Sequence, residues 1–117
     1  MVNSNERLLP VRCLIDEPLL QRIEAWGRTL AKRPAVSIHF GNTLPLGYSA
    51  RTALLIGIEE LKVEEHILDA YELEGTPSAL GVAMPLWFKE VLDREAKRLG
   101  ISRVQIIREA LDRGLPL

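Results

Sequence analysis

Residues 82–115 constrain this chain more than any other stretch. They read Val82-Ala83-Met84-Pro85, a helical run to Leu99, Gly100-Ile101-Ser102, and a second helical run to Leu115. Met84 must be extended, because a proline ring disfavours helical backbone in the residue before it. Pro85 itself suits a first helical turn, where no N–H is required. A strand therefore ends where a helix begins. Phe88, Val91, Leu92 and Leu99 recur at helical spacing as an apolar stripe, with Lys89, Asp93, Arg94, Lys97 and Arg98 on the other side. Gly100 is expected as a left-handed C-cap and Ser102 as the N-cap of the next helix. There Val104, Ile107 and Leu111, flanked by Ile106 and Ala110, form a second apolar face. Two helices this short cannot close a core by themselves.

These residues resemble the ribbon-helix-helix superfamily of Arc, MetJ and CopG type repressors, across nearly all of 82–115. Met84-Pro85 is similar to the strand-to-helix junction and Gly100-Ile101-Ser102 to the interhelical turn. Ile106-Ile107-Arg108-Glu109-Ala110-Leu111 is similar to the core-facing run of the second helix, and the 18-residue interval from Met84 to Ser102 to the family's spacing. The resemblance implies a fold shared by two intertwined copies. Their strands pair into an antiparallel ribbon that enters the DNA major groove, and the N-termini of the second helices grip phosphates.

The N-terminal half carries the same order. Val11 to Ile15 reads as a strand, Asp16 as an N-cap, Pro18 as a first-turn residue, and Leu19, Ile23, Trp26 and Leu30 as an apolar helix stripe. Gly47 to Ile58 can be laid on Gly100 to Leu111, so that glycine, an apolar residue and serine coincide and Gly57 meets Ala110. The expected fold class is mainly α with a short antiparallel β ribbon: a tandem ribbon-helix-helix pseudo-dimer in one chain, resembling the TraY type. A single domain over 1–117 would hold one repeat at about 8–63 and another at about 79–115, joined by an acidic linker at 64–78. Strand 9–15 would pair antiparallel with 79–84. Alternation then turns Val11, Cys13, Ile15, Leu80, Val82 and Met84 to the core and Pro10, Arg12, Leu14, Ala79, Gly81 and Ala83 outward.

The two halves differ in length. Ile15 to Ser49 spans 34 residues, sixteen more than Met84 to Ser102, and the excess falls in an insertion at 34–47. Ala35 to Phe40 alternates like a strand and Gly41-Asn42 is a turn signal, so an extra strand or hairpin is expected there. Such an insertion is more often a decorated surface loop than a ligand, partner or groove-contacting element. Leu54-Leu55-Ile56 is apolar nearly all round its helix, which calls for cover from the insertion or from another subunit.

Net charge is −1, which by itself argues little for a polyanionic partner. The distribution matters more. Residues 1–62 carry 8 basic and 6 acidic side chains and residues 81–117 carry 7 and 5, so both are mildly positive; the 5 acidic residues between them stand alone and read as a solvated connector. The N-terminus is polar, no run is long enough to span a membrane, and the single cysteine, Cys13, can form no internal disulfide, so a cytoplasmic protein is expected.

There is no phosphate loop, no paired cysteines, no nucleophile elbow, and only His39 and His66 as histidines. An enzyme, a metal site and a cofactor are not expected. Trp26 and Trp87, beside apolar stripes, read as core or interface.

The family resemblance implies double-stranded DNA as partner, with self-association a further option. Phosphate contact is expected from Ser49, Ala50 and Arg51 and from Ser102, Arg103 and Val104, where free N–H groups and the helix dipole favour anions. Base contact is expected from Arg12, Leu14, Gly81 and Ala83. Only Arg12 among them carries hydrogen-bonding groups, so direct readout would be thin. The expected function is a transcriptional repressor or DNA-processing accessory protein. The alternative is a module of the same fold that has lost base readout and binds a protein partner, as an antitoxin does.

Overall fold

A computed structural model describes residues 8–34, 44–62 and 75–116. Within them the order is β1 (Leu8–Ile15), α1 (Glu17–Ala31), α2 (Leu46–Leu61), β2 (Ser78–Pro85), α3 (Leu86–Leu99) and α4 (Arg103–Gly114). The chain is mainly helical, with one two-stranded antiparallel sheet. Most of the expected insertion and linker, including His39 and His66, lies outside the described residues.

β1 pairs with β2 over the full length of both, in the register Leu8↔Pro85, Val11↔Val82, Arg12↔Gly81 and Ile15↔Ser78. Alternation is strict. Val11, Cys13, Ile15, Leu80, Val82 and Met84 are buried, and Leu8, Pro10, Arg12, Leu14, Ala79, Gly81 and Ala83 are exposed. A one-residue slip would exchange these two sets, so the hydrophobic pattern itself fixes the register.

The local signals act as the sequence predicts at the starts of α1 and α4, while Pro85, expected in the first turn of its helix, is extended (ψ 154°) and stands just before it. Asp16 accepts from the Leu19 N–H at 3.2 Å and Pro18 lies in the first turn of α1. Pro85 precedes α3, Gly100 closes it in the left-handed conformation (φ 71°), and Ser102 accepts from the Gln105 N–H at 3.1 Å to open α4.

α2 departs from expectation. It begins at Leu46 after Pro45, three residues before Ser49, and Ser49 lies inside the helix and buried. Pro45 (φ −56°, ψ 137°) cannot itself be helical at that ψ, and Leu46 gains by packing on the core, so the helix starts there without a side-chain cap. Gly47 is thus no counterpart of Gly100. It belongs to the first turn of α2, where a Cβ would come within 2.7 Å of the Gly81 carbonyl oxygen.

The core fills the space between the inner face of the ribbon and the four helices. Phe88, Ile15, Leu19, Ile23, Leu54, Leu92, Leu99, Ile106 and Ile107 are fully buried, each contributing about 1.5–3 kcal/mol through removal from water. α2 and α4 pack against each other more extensively than any other pair of helices. Their closest approach is made by small residues four apart: a Cβ on Gly57 would overlap the Ala110 carbonyl, and one on Gly114 would overlap the Ala53 carbonyl.

Arginines then close the C-terminal ends. Arg22 on α1 donates to the Asp112 and Leu115 carbonyls, at 2.9 and 3.3 Å, at the end of α4. Arg98 on α3 donates to the Leu61 carbonyl at 2.9 Å, at the end of α2, while its Nε holds the Glu95 carboxylate. Both satisfy carbonyls that a helix end leaves unpaired.

Three large apolar side chains read as core, interface or in need of cover stand at the surface. Trp87 is 53 % exposed, its ring tilted against Phe88 at 5.7 Å, because it stands on the solvent side of the first turn of α3. Leu55 and Ile56 are also exposed; only Leu54 of that run faces the core.

Candidate nucleic-acid interface

The outward face of the ribbon is formed by Leu8, Pro10, Arg12 and Leu14 on β1 and by Ala79, Gly81 and Ala83 on β2. Each longer β1 residue stands across from a small β2 residue: Pro10 from Ala83, Arg12 from Gly81, and Leu14 from Ala79. No atom of the described residues lies within 4 Å of where a Cβ on Gly81 would stand. Arg12 makes no hydrogen bond or ion pair with a described residue, so its guanidinium is available at the centre of the ribbon. It is the only charged residue in either strand.

An arginine flanks each end of this face. Arg51 on α2 donates to the Ala83 carbonyl at 3.1 Å, and Arg108 on α4 donates to the Leu14 carbonyl at 2.6 Å. Each of these carbonyls belongs to an outward-facing residue near a strand end, so the two contacts are reciprocal across the sheet. Arg51 also lies 5.5 Å from the centre of the Tyr48 ring, a cation–π distance. Pro45, Gly47, Tyr48, Arg51, Gly81 and Ala83 together line an open cleft of about 390 Å³ beside the ribbon. A smaller cleft of about 250 Å³, lined by Arg22, Ala25, Trp26, Thr29 and Pro116, lies away from the ribbon.

The residues expected to hold phosphates separate into two groups. Ser102, Arg103 and Val104 stand at the start of α4, with Ser102 and Arg103 exposed and Val104 half-buried. The Arg103 side chain is engaged there, donating from Nε and Nη2 to both carboxylate oxygens of Asp93, at 2.6 and 3.0 Å. Those bonds hold the Asp93 carboxyl below its ordinary value and raise Arg103. Lys89 reaches the same carboxylate at 3.5 Å.

Ser49 and Ala50 do not form a phosphate site. Both are buried one turn inside α2, and the start of that helix is Pro45 to Gly47 instead, with Pro45 exposed and Leu46 and Gly47 half-buried. Arg51 stays at the surface, but as the arginine beside the ribbon end and not as a helix-start residue.

Sequence reasoning missed Arg108 and Tyr48. The signal for Arg108 was present. Arg51-Thr52-Ala53-Leu54-Leu55-Ile56-Gly57 and Arg108-Glu109-Ala110-Leu111-Asp112-Arg113-Gly114 share the pattern Arg-x-Ala-Leu-x-x-Gly. Matching Gly47 to Gly100 shifted the two helices by one turn and hid it. Tyr48 had no such marker.

Among the described residues no three His, Cys, Asp or Glu side chains come together as a metal site, and no helix is long and apolar enough to cross a membrane. Comparison with protein-family models, with curated proteins and with solved structures gave no match.

Proposed function

We propose that this chain binds duplex DNA as a single-chain ribbon-helix-helix unit, serving as a transcriptional repressor or a DNA-processing accessory protein. In this reading the chain is a tandem pseudo-dimer. The repeated strand-helix-helix order, the shared Arg-x-Ala-Leu-x-x-Gly pattern and the reciprocal bonds from Arg51 and Arg108 support it. The observation that carries the function is Arg12: a guanidinium with no hydrogen-bond or ion-pair partner among the described residues, at the middle of a two-stranded ribbon and across from a glycine. A ribbon of this width fits the major groove, and arginine is the side chain that most often reads a guanine edge there. The start of α4 beside Ser102, with Arg103 and Val104, would take a backbone phosphate.

Binding to a random-sequence duplex over a salt series tests the reading. The expected result is binding at low salt that weakens linearly in log affinity against log salt. Absence of binding at low salt would overturn it.

One observation favours a second reading. Apart from Arg12 the outward face is apolar, and the exposed Leu86 and Trp87 follow directly on β2. A module that has lost base readout would use such a surface to hold a protein partner, as an antitoxin does.

A further inference from the structure

We infer that the ribbon reads thymine methyl groups, through Leu14, beside one guanine contacted by Arg12. The inference rests on the duplex-DNA reading and specifies the sequences that face would prefer. β1 and β2 carry no acidic residue, Arg12 lies at their centre, and Arg51 and Arg108 stand at the two ends, so the face is complementary in charge to a polyanion. The contact surface between these arginines is apolar. Leu14 is 48 % exposed, with only Ala79 across from it.

In the major groove the one apolar feature of a base edge is the C5 methyl of thymine. A leucine pressed on the edge of guanine, adenine or cytosine would strip water from a donor or acceptor and offer nothing in return. Against a thymine methyl it loses no hydrogen bond and removes apolar surface from water. Arg12 supplies the opposite preference two residues away. At a rise of about 3.4 Å per residue the two side chains stand roughly 7 Å apart along the strand, or about two base steps.

The two strands are also unequal. Two arginines directly across an antiparallel pair would repel each other, as any chain pairing with its own copy at this position would require. Here Gly81 stands across from Arg12 instead. The polar contact therefore falls on one strand only, and the preferred site is non-palindromic.

The test uses the full chain and a duplex enriched by it from a random-sequence pool. Each thymine near the preferred guanine is replaced in turn by deoxyuridine, which removes only the methyl group. One or two replacements should weaken binding about fourfold, the effect of one buried carbon at the usual hydrophobic scale. The Leu14→Ala variant should bind the thymine and deoxyuridine duplexes alike, and replacing the critical thymine by 5-methylcytosine, paired with guanine, should recover part of the loss that cytosine causes. Enrichment of a sequence whose affinity is indifferent to every methyl removal would overturn the methyl reading and leave DNA binding standing. Failure to bind any duplex at low salt would overturn both and turn the apolar face over to a protein partner.

Discussion

Gly57 and Gly114 lie against each other where α2 crosses α4: a Cβ on either would come within 2.9 Å of the other's backbone nitrogen. The same Cβ atoms would overlap the carbonyls of Ala110 and Ala53, neither of which can move without moving its helix. Glycine inside a helix is costly by about 1 kcal/mol relative to alanine, so alanine here would be favoured by propensity alone. Packing opposes it more strongly, since overfilling a close-packed contact costs about 1–3 kcal/mol or more when backbone must shift. Gly57→Ala and Gly114→Ala should each lower the urea midpoint of unfolding by an amount equivalent to at least about 2 kcal/mol. An unchanged or raised midpoint in either variant would show that the helices do not cross this closely.

The pair Glu95 and Arg98 should show strong non-additivity. Glu95 is 8 % exposed, its carboxylate held by Arg98 Nε, while Arg98 Nη2 caps α2 at Leu61. Arg98→Met removes the cap and leaves a largely buried carboxylate without this partner, and breaking such a pair from one side is the expensive way to break it. A loss of about 2–3 kcal/mol is expected for the single change. Adding Glu95→Gln should recover a substantial part, because the stranded charge is then gone. Denaturant unfolding of the two single variants and the double variant measures the coupling; strictly additive losses would rule out the compensation.

How far this arrangement could be read in advance depended on whether a feature was local. The strand register, the inward set Val11, Cys13, Ile15, Leu80, Val82 and Met84, and the caps at Asp16, Gly100 and Ser102 follow from residues within a few positions of one another. The start of α2 does not. Pro45 opens it without a side-chain cap, so the serine at 49 was the more visible signal although it lies one turn inside the helix. The carbonyls to which Arg22, Arg51, Arg98 and Arg108 donate lie far away in sequence, and no side-chain spacing encodes such an acceptor. Exposure of Trp87 depends on which side of α3 its first turn presents, which the apolar stripe alone did not decide for a residue at its margin.

Cys13 gives the fold a sensitivity to alkaline pH. Burial in the inner face of the ribbon pushes its thiol up from 9.0 to about 11, and Arg108 only partly offsets this by attracting the thiolate. Because the folded value lies above the unfolded one, the neutral thiol's contribution is fully present below about pH 9 and is lost as pH rises towards 11. The unfolding free energy of the native chain relative to Cys13→Ala should therefore fall between pH 8 and 11, by up to about 2 kcal/mol. In the same range iodoacetamide should label Cys13 slowly in the folded protein and readily in urea. Rapid labelling of the folded protein at pH 8 would contradict a buried thiol.

Asp93 on α3 pairs with Arg103 at the start of α4, and its removal should act in opposite directions on stability and on DNA affinity. The Arg103 hydrogen bonds depress its folded value below 3.8, so its contribution is present at neutral pH and is lost as pH falls through that lower value. Both partners are about one-third or more exposed, which limits the pair to about 1 kcal/mol or less. Asp93→Asn should therefore lower the urea midpoint slightly at pH 7, by an amount that shrinks as pH is taken below 3.8. On duplex DNA the same change removes an anion beside the proposed phosphate site and frees the Arg103 guanidinium. Affinity at low salt should rise several-fold, with the slope of log affinity against log salt steepening by about one phosphate contact. If Asp93→Asn binds duplex no better than the native chain, Arg103 is not a phosphate contact and the start of α4 plays no part in binding.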